Sequence, residues 1–156
     1  MRAACCALLA VGAVSAVASA PIPQLGPFKT QSAQFTVGGL VAGGSQDAYI
    51  WWPLDSGETG AAAPSRNVVA FGHGEKAGGA NLEPSYNSLL STLASYGLIV
   101  IAPLSCPEDL CLRELAEDLG TVLHACATNR TLPPALSRAN FTRVGVAGHS
   151  MGGGAA

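Results

Sequence analysis

Residues 143–152 read Arg-Val-Gly-Val-Ala-Gly-His-Ser-Met-Gly. The apolar run at its start predicts a strand buried on both faces. Gly148 to Gly152 then fit the pattern Gly-x-Ser-x-Gly, in which a serine lies on a sharp turn between a strand and a helix. A side chain at position 148 or 152 would crowd such a turn. We therefore expect Ser150 in a strained backbone conformation, with its hydroxyl above the edge of a sheet.

Two other apolar runs and two helical patterns precede this stretch. Residues 67–71 (Asn-Val-Val-Ala-Phe) and 98–102 (Leu-Ile-Val-Ile-Ala) each predict a buried strand. Between them apolar residues recur at helical spacing over 85–96, and Gly97 ends the pattern. Residues 105–108 read as a capping box that opens a long helix. This alternation predicts an α/β fold, with a mostly parallel sheet and helices on both faces.

The long helix carries one apolar stripe, formed by Leu112, Leu115, Leu119, Val122 and Cys126. The charged residues of the same segment are expected on its other faces; they are Arg113, Glu114, Glu117 and Asp118. Nearer the N-terminus, residues 35–40 and 48–52 predict an antiparallel hairpin at a sheet edge, and residues 55–66 predict a surface loop.

The first twenty residues have the features of a secretory signal peptide. Arg2 precedes an apolar stretch over 3–14, and Ala18-Ser19-Ala20 is a typical cleavage pattern. The stretch is shorter than the ~20 apolar residues that span a bilayer. We therefore expect a secreted protein with no transmembrane segment, the alternative being a buried N-terminal helix. Residues 21–34 would form an extended arm, and the globular part would begin at residue 35.

Composition limits the function further. The chain has 156 residues, of which 49% are apolar and 12% are charged, and its net charge is −2. These values predict one globular domain. Since no basic stripe is present, nucleic acid is not an expected partner. The sequence does not indicate an oligomeric state.

Three cysteines follow the signal peptide. Cys106 and Cys111 are close enough in sequence to close a small loop as a disulfide. Cys126 lies ~22 Å along a helix from Cys111, which is too far for a bridge. Cys126 is therefore either a buried free thiol or the partner of a cysteine absent from this chain.

Two Asn-x-Thr triplets begin at Asn129 and Asn140. In a secreted protein such triplets predict N-glycosylation on an exposed loop. Asn129 is the better candidate because it lies in a polar connection flanked by proline, whereas Asn140 lies nearer a strand.

Ser150 is the candidate nucleophile, and two backbone N–H groups are the candidate oxyanion donors. Acyl transfer needs such donors aimed at the developing negative charge. One is the N–H of Met151, the residue after the nucleophile. The other is expected in the Gly-rich segment Phe-Gly-His-Gly-Glu at 71–75, and we assign it to Glu75. His73, within the same segment, is not expected to be the catalytic base.

Residues 145–154 (Gly-Val-Ala-Gly-His-Ser-Met-Gly-Gly-Gly) resemble the nucleophile elbow of α/β-hydrolases, above all that of cutinases and polyester hydrolases. Residues 88–103, ending in Tyr-Gly-Leu-Ile-Val-Ile-Ala-Pro, resemble the helix-then-strand segment of the same group. Dienelactone hydrolases, chlorophyllases and platelet-activating-factor acetylhydrolases also belong to this group. The resemblance covers residues 35–156, which are expected to form the N-terminal part of an α/β-hydrolase domain.

The resemblance implies a secreted serine hydrolase of small-molecule or lipid-like carboxylic esters, acting through an acyl-enzyme on Ser150 without a metal or organic cofactor. Polyester hydrolases often carry an aromatic residue where this chain has Glu75, so polyester substrates are less expected.

In the resembling enzymes the catalytic acid and histidine follow the nucleophile. Only Met, Gly and Ala follow Ser150 here. We therefore expect this sequence to be incomplete, and the 156-residue chain by itself to hydrolyse no ester faster than a Ser150→Ala variant. One alternative is a non-catalytic secreted fragment or pseudoenzyme that acts as a binding protein. Another is a thioesterase or acyltransferase that uses the same elbow.

Overall fold

A computed structural model describes residues 24–54, 64–108, 110–129 and 133–156. The predicted signal peptide at 1–20 lies outside the described residues. The elements in chain order are β1 (Lys29–Thr36), β2 (Asp47–Leu54), β3 (Arg66–Gly72), α1 (Leu82–Ser95), β4 (Ile99–Pro103), α2 (Leu112–Thr128), β5 (Ala139–Gly148) and α3 (Met151–Ala155). Short 3-10 helices at Gly79–Asn81 and Pro134–Arg138 precede α1 and β5. Among these residues, no helix combines the length and apolarity that crossing a membrane requires.

The strands form one mixed sheet in the order β1-β2-β4-β3-β5. β2 pairs antiparallel with both β1 and β4, whereas β3 pairs parallel with both β4 and β5. The predicted fold class, an α/β-hydrolase fold with a mostly parallel sheet, is therefore wrong, because two of the four strand pairings are antiparallel. β3, β4 and β5 alternate with helices, and this alternation is what predicted a parallel sheet. β1 and β2 contribute the other half of the strand pairings, and a connection as short as theirs permits only antiparallel pairing.

Successive residues of a strand point to opposite faces of the sheet, and this alternation produces two apolar layers. On one face, β-strand residues Trp51, Phe71, Val100 and Ala102 pack with Leu82, Tyr86 and Leu90 of α1. On the other face, Ile50, Val68, Ile99 and Ile101 pack with Val122 and Cys126 of α2. β4 is buried at each of its residues, as its continuous apolar sequence predicted.

The boundaries of two elements differ from the prediction. β1 begins at Lys29, so residues 29–34 of the expected arm belong to the sheet. α2 begins only at Leu112, and no side chain caps it, so the capping box predicted at 105–108 does not form. Cys106 instead has a positive φ of 58°, which no helix accommodates.

Two predictions of burial are also wrong. Asp118, expected on a polar face of α2, is completely buried. Its carboxylate accepts hydrogen bonds from the backbone N–H groups of Val41, at 2.6 Å, and Ala42, at 3.1 Å. β5 was expected to be buried, but it is an edge strand, and Val144 and Val146 are 47% and 45% exposed.

Candidate active site around Ser150

The parallel pairing of β3 and β5 determines where Ser150 lies. Gly72, the last residue of β3, pairs with Gly148, the last residue of β5. The His149 N–H continues this ladder by donating to the Gly72 carbonyl at 3.0 Å. The segments that follow the two strands therefore leave the same edge of the sheet side by side. These are residues 73–75, after β3, and residues 149–151, after β5.

Ser150 occupies an unusual backbone conformation at the junction of β5 and α3. Its φ is 53° and its ψ is −118°, outside the regions that residues with a side chain commonly adopt. Such a conformation costs about 1–3 kcal/mol and persists only where the surroundings enforce it. The Ser150 carbonyl accepts the N–H groups of Gly153 and Gly154, at 3.0 and 3.2 Å, and so begins α3. The residue itself is exposed.

Three glycines enforce this turn by close backbone contact. A Cβ atom built on Gly148 would lie 2.1 Å from the Gly152 carbonyl oxygen. One built on Gly152 would lie 2.1 Å from the Gly72 carbonyl, and one built on Gly72 would lie 2.9 Å from the Gly152 Cα. The steric argument made from the sequence for positions 148 and 152 is confirmed, and Gly72 joins them.

Two backbone N–H groups in these segments, those of Glu75 and Met151, have no hydrogen-bond acceptor among the described residues. The N–H of buried Gly74, the residue before Glu75, is not available as an oxyanion donor, because it donates to the Tyr86 hydroxyl oxygen at 2.9 Å. The N–H groups of Glu75 and Met151 are the two that were predicted from the sequence as oxyanion donors. Unsatisfied N–H groups next to a strained serine are suited to bind a developing negative charge.

Two of the three described histidines make hydrogen bonds with groups other than the Ser150 hydroxyl. His73 is completely buried, and its two ring nitrogens lie 2.7 Å from the Ser105 carbonyl oxygen and 2.9 Å from the Gly74 carbonyl oxygen. His149 directs its Nδ1 to the Tyr86 hydroxyl at 2.9 Å. His124 lies exposed on α2. Within the described part of the chain, no histidine hydrogen-bonds the Ser150 hydroxyl.

Sequence reasoning missed the contacts of the Tyr86 hydroxyl in this region, and it also missed the burial of Asp118, which holds the loop over 37–46. Tyr86 was interpreted as one apolar residue of the α1 stripe, and its ring is indeed buried. Helical periodicity gives a phenol the same weight as a leucine, so it cannot show that the hydroxyl contacts two loops. For Asp118, its place between Glu117 and the buried Leu119 gave no signal that the carboxylate would face inward.

A disulfide lies close to the nucleophile turn. Cys106 and Cys111 are joined, with their Cα atoms 6.3 Å apart. Together with Leu115 they pack against the buried side chain of Met151. The connection between β4 and α2 thus supports the first residue of α3, which carries one of the free N–H groups.

Cys126 lies at the opposite end of β5 from Ser150, beside a cavity of about 450 Å³. It is a buried free thiol, and burial raises its pKa from 9.0 to about 12. Cys126, Leu136 and Phe141 are among the residues that line the cavity. Because the cavity lies at the opposite end of β5, it cannot be the pocket that binds a substrate for reaction at Ser150.

The two candidate glycosylation sites remain predictions. Asn129 follows the last residue of α2 and is exposed. Asn140 lies half-buried in β5, where its Oδ1 accepts hydrogen bonds from the N–H and hydroxyl groups of Thr142, at 3.1 and 2.6 Å.

No protein-family model matches this chain, and no curated protein is significantly similar to it.

Proposed function

We propose that this protein is a secreted serine hydrolase that acts on carboxylic esters through an acyl-enzyme at Ser150. The observation that carries the proposal is the combination of a strained, exposed Ser150 with the free N–H groups of Glu75 and Met151. Strain of this kind is kept in proteins where it serves a site. The resemblance of residues 145–154 to the cutinase and polyester-hydrolase elbow favours esters among the possible acyl donors.

The proposed reaction begins with attack of the Ser150 hydroxyl oxygen on the ester carbonyl carbon. The carbonyl oxygen becomes an oxyanion, which the Glu75 and Met151 N–H groups stabilise. The oxyanion collapses, the alcohol leaves with a proton, and the acyl group remains on Ser150. Water then attacks the acyl-enzyme and releases the acid.

The first step requires a general base for the Ser150 proton. No described histidine contacts the Ser150 hydroxyl, so the proposal assigns the base to residues outside the described set. The same observation favours the second candidate, a secreted binding protein without catalytic turnover. The two candidates differ in a single measurable property, turnover that depends on Ser150.

Ester hydrolysis by the protein expressed from its natural transcript distinguishes the candidates. We expect it to hydrolyse p-nitrophenyl acetate, and we expect Ser150→Ala to lower kcat by at least ~10³-fold, since no other group can form the acyl-enzyme. Ser88→Ala, an exposed serine on α1, is the matched control and should retain the full rate. Equal rates for wild type and Ser150→Ala would refute the hydrolase proposal.

Whether a residue of this chain supplies the base has its own test. The 156-residue chain alone is expected to hydrolyse the ester no faster than its Ser150→Ala variant. A clear Ser150-dependent rate in this chain would show that one of its own residues supplies the base.

A further inference from the structure

The hydroxyl of Tyr86 joins the two segments that carry the candidate oxyanion donors. Its oxygen accepts the Gly74 N–H at 2.9 Å and lies 2.9 Å from His149 Nδ1. Gly74 directly precedes Glu75, and His149 directly precedes Ser150. One oxygen atom from α1 therefore touches the neighbour of a donor residue and the neighbour of the nucleophile.

The Tyr86 ring is held firmly enough to act as a fixed point. The residue is only 8% exposed, and its ring packs edge-on against Phe71 of β3, with the centroids 5.1 Å apart. The ring of His149 lies against it at 5.9 Å. α1 and β3 thus fix the ring, and its position in turn fixes the hydroxyl.

The Tyr86 hydroxyl can make both contacts at once. The Gly74 N–H occupies one lone pair of the phenol oxygen, and the contact with His149 Nδ1 uses either the hydroxyl proton or the second lone pair, depending on the His149 tautomer. In this arrangement the Gly74 donor is satisfied, while the next donor along the chain, the Glu75 N–H, stays available.

We propose that Tyr86 is a positioning residue for the Ser150 reaction. Its hydroxyl contacts the His73–Gly74 peptide through the Gly74 N–H and the His149 side chain through Nδ1. These contacts hold Glu75 and Ser150, the residues that follow, at the separation at which the Glu75 and Met151 N–H groups reach one oxyanion. This inference rests on the proposed hydrolase function. It assigns a role to a side chain that touches neither substrate nor nucleophile.

The test compares Tyr86→Phe with Tyr96→Phe in the protein expressed from its natural transcript. Tyr86→Phe keeps the ring and removes the hydroxyl. Tyr96→Phe removes a hydroxyl from the residue after α1, where it donates to the Gln24 carbonyl. We expect Tyr86→Phe to lower kcat for p-nitrophenyl acetate by about 10- to 100-fold, because misplacing an oxyanion donor approaches the loss of one. KM should change less than about two-fold, and Tyr96→Phe should keep the wild-type kcat.

A double variant separates positioning from general stability. Since Tyr86 and His149 act through the same hydrogen bond, Tyr86→Phe/His149→Ala should lose no more kcat than the more damaging single variant. Active-site titration must show the same fraction of competent enzyme in each sample, which removes unfolding as the cause.

Two outcomes overturn the inference, and they differ from failure of the hydrolase proposal. If Ser150→Ala abolishes turnover while Tyr86→Phe retains the wild-type kcat, Ser150 is the nucleophile and Tyr86 has no positioning role. If Tyr86→Phe and His149→Ala lower kcat by independent factors that multiply, the shared hydrogen bond is not the cause. If wild type and Ser150→Ala react equally, the hydrolase proposal fails and the role for Tyr86 falls with it.

Discussion

Two glycine-containing loops are each held by hydrogen bonds to one buried side chain from a helix, but the two side chains accept different numbers of backbone N–H groups. The loop over 37–46 is held by Asp118 of α2, which accepts the N–H groups of both Val41 and Ala42. The loop over 73–78 is held by Tyr86 of α1, which accepts only the N–H of Gly74. The first anchor accepts two adjacent N–H groups, whereas the second accepts one, and the neighbouring Glu75 N–H has no acceptor among the described residues.

The difference separates a structural loop from a candidate site. In the 37–46 loop, Gln46 satisfies further backbone groups, because its side chain accepts the Leu40 N–H at 2.9 Å and donates to the Leu40 carbonyl at 2.8 Å. In the 73–78 loop, the Glu75 N–H has no acceptor among the described residues, and a Cβ atom built on the preceding Gly74 would lie 3.1 Å from the His149 ring. N–H groups held by a buried carboxylate stabilise the fold, whereas a free N–H group beside a strained serine can bind an anion.

The largest effect is expected where the 73–78 loop meets the Ser150 turn. Gly152→Ala places a methyl group 2.1 Å from the Gly72 carbonyl, and backbone cannot yield as a flexible side chain can. We expect a loss of about 3 kcal/mol or more in unfolding free energy, the upper range for overpacking. Denaturant unfolding measures this loss.

Gly145→Ala is the matched control for this contact. It lies in β5 with only Val69 Cγ2 nearby, at 3.8 Å, and should change stability by less than about 1 kcal/mol. If both variants unfold at the same denaturant concentration, the close packing of Gly72 and Gly152 does not hold the turn.

A smaller effect is expected at the Asp118 anchor. Asp118→Ala leaves the partly buried Val41 and Ala42 N–H groups without their acceptor, and we expect a loss of about 1–3 kcal/mol in unfolding free energy. Glu117→Ala is the control, because its exposed ion pair with Arg113 contributes only ~0–1 kcal/mol.

If the 37–46 loop serves only the fold, Asp118→Ala should also leave the reactivity of Ser150 unchanged. Under conditions where the variant is folded, its Ser150 should react with a fluorophosphonate at the wild-type rate. A rate that falls as far as that of Tyr86→Phe would show that the 37–46 loop also belongs to the site.

The smallest change in unfolding free energy is expected at Cys126, near the C-terminal end of α2, and it depends on alkaline pH. Burial raises the pKa of its thiol from 9.0 to about 12, so the folded state binds a proton that the unfolded state releases. The stabilisation is complete below pH 9.0 and is lost between pH 9.0 and about 12. At pH 10 wild type should have lost about 1 kcal/mol relative to Cys126→Ala. Parallel pH profiles of unfolding for the two proteins would show that the thiol is not buried.

The elements and the steric requirements of the turn could be predicted from the sequence because they depend on local signals. The apolar runs identify β3 and β4, and Gly97 identifies the end of α1. The pattern Gly-x-Ser-x-Gly located the turn and two of its three glycines, but Gly72 is far from the others in sequence and joins them only through the β3–β5 pairing.

The remaining features depend on contacts between distant segments. The direction of β2 in the sheet follows from its pairing with β4, which local periodicity does not encode. The burial of Asp118 follows from two backbone donors in a loop more than 70 residues away. The two contacts of the Tyr86 hydroxyl likewise require the folded arrangement of α1, β3 and β5.

Locating the covalent adduct of a fluorophosphonate by peptide mass mapping tests the central claim most directly. On the protein expressed from its natural transcript, the account predicts a single modified residue, Ser150, and no adduct after Ser150→Ala. Modification of another serine, or none under conditions that label a known serine hydrolase, would contradict the claim that Ser150 is the nucleophile.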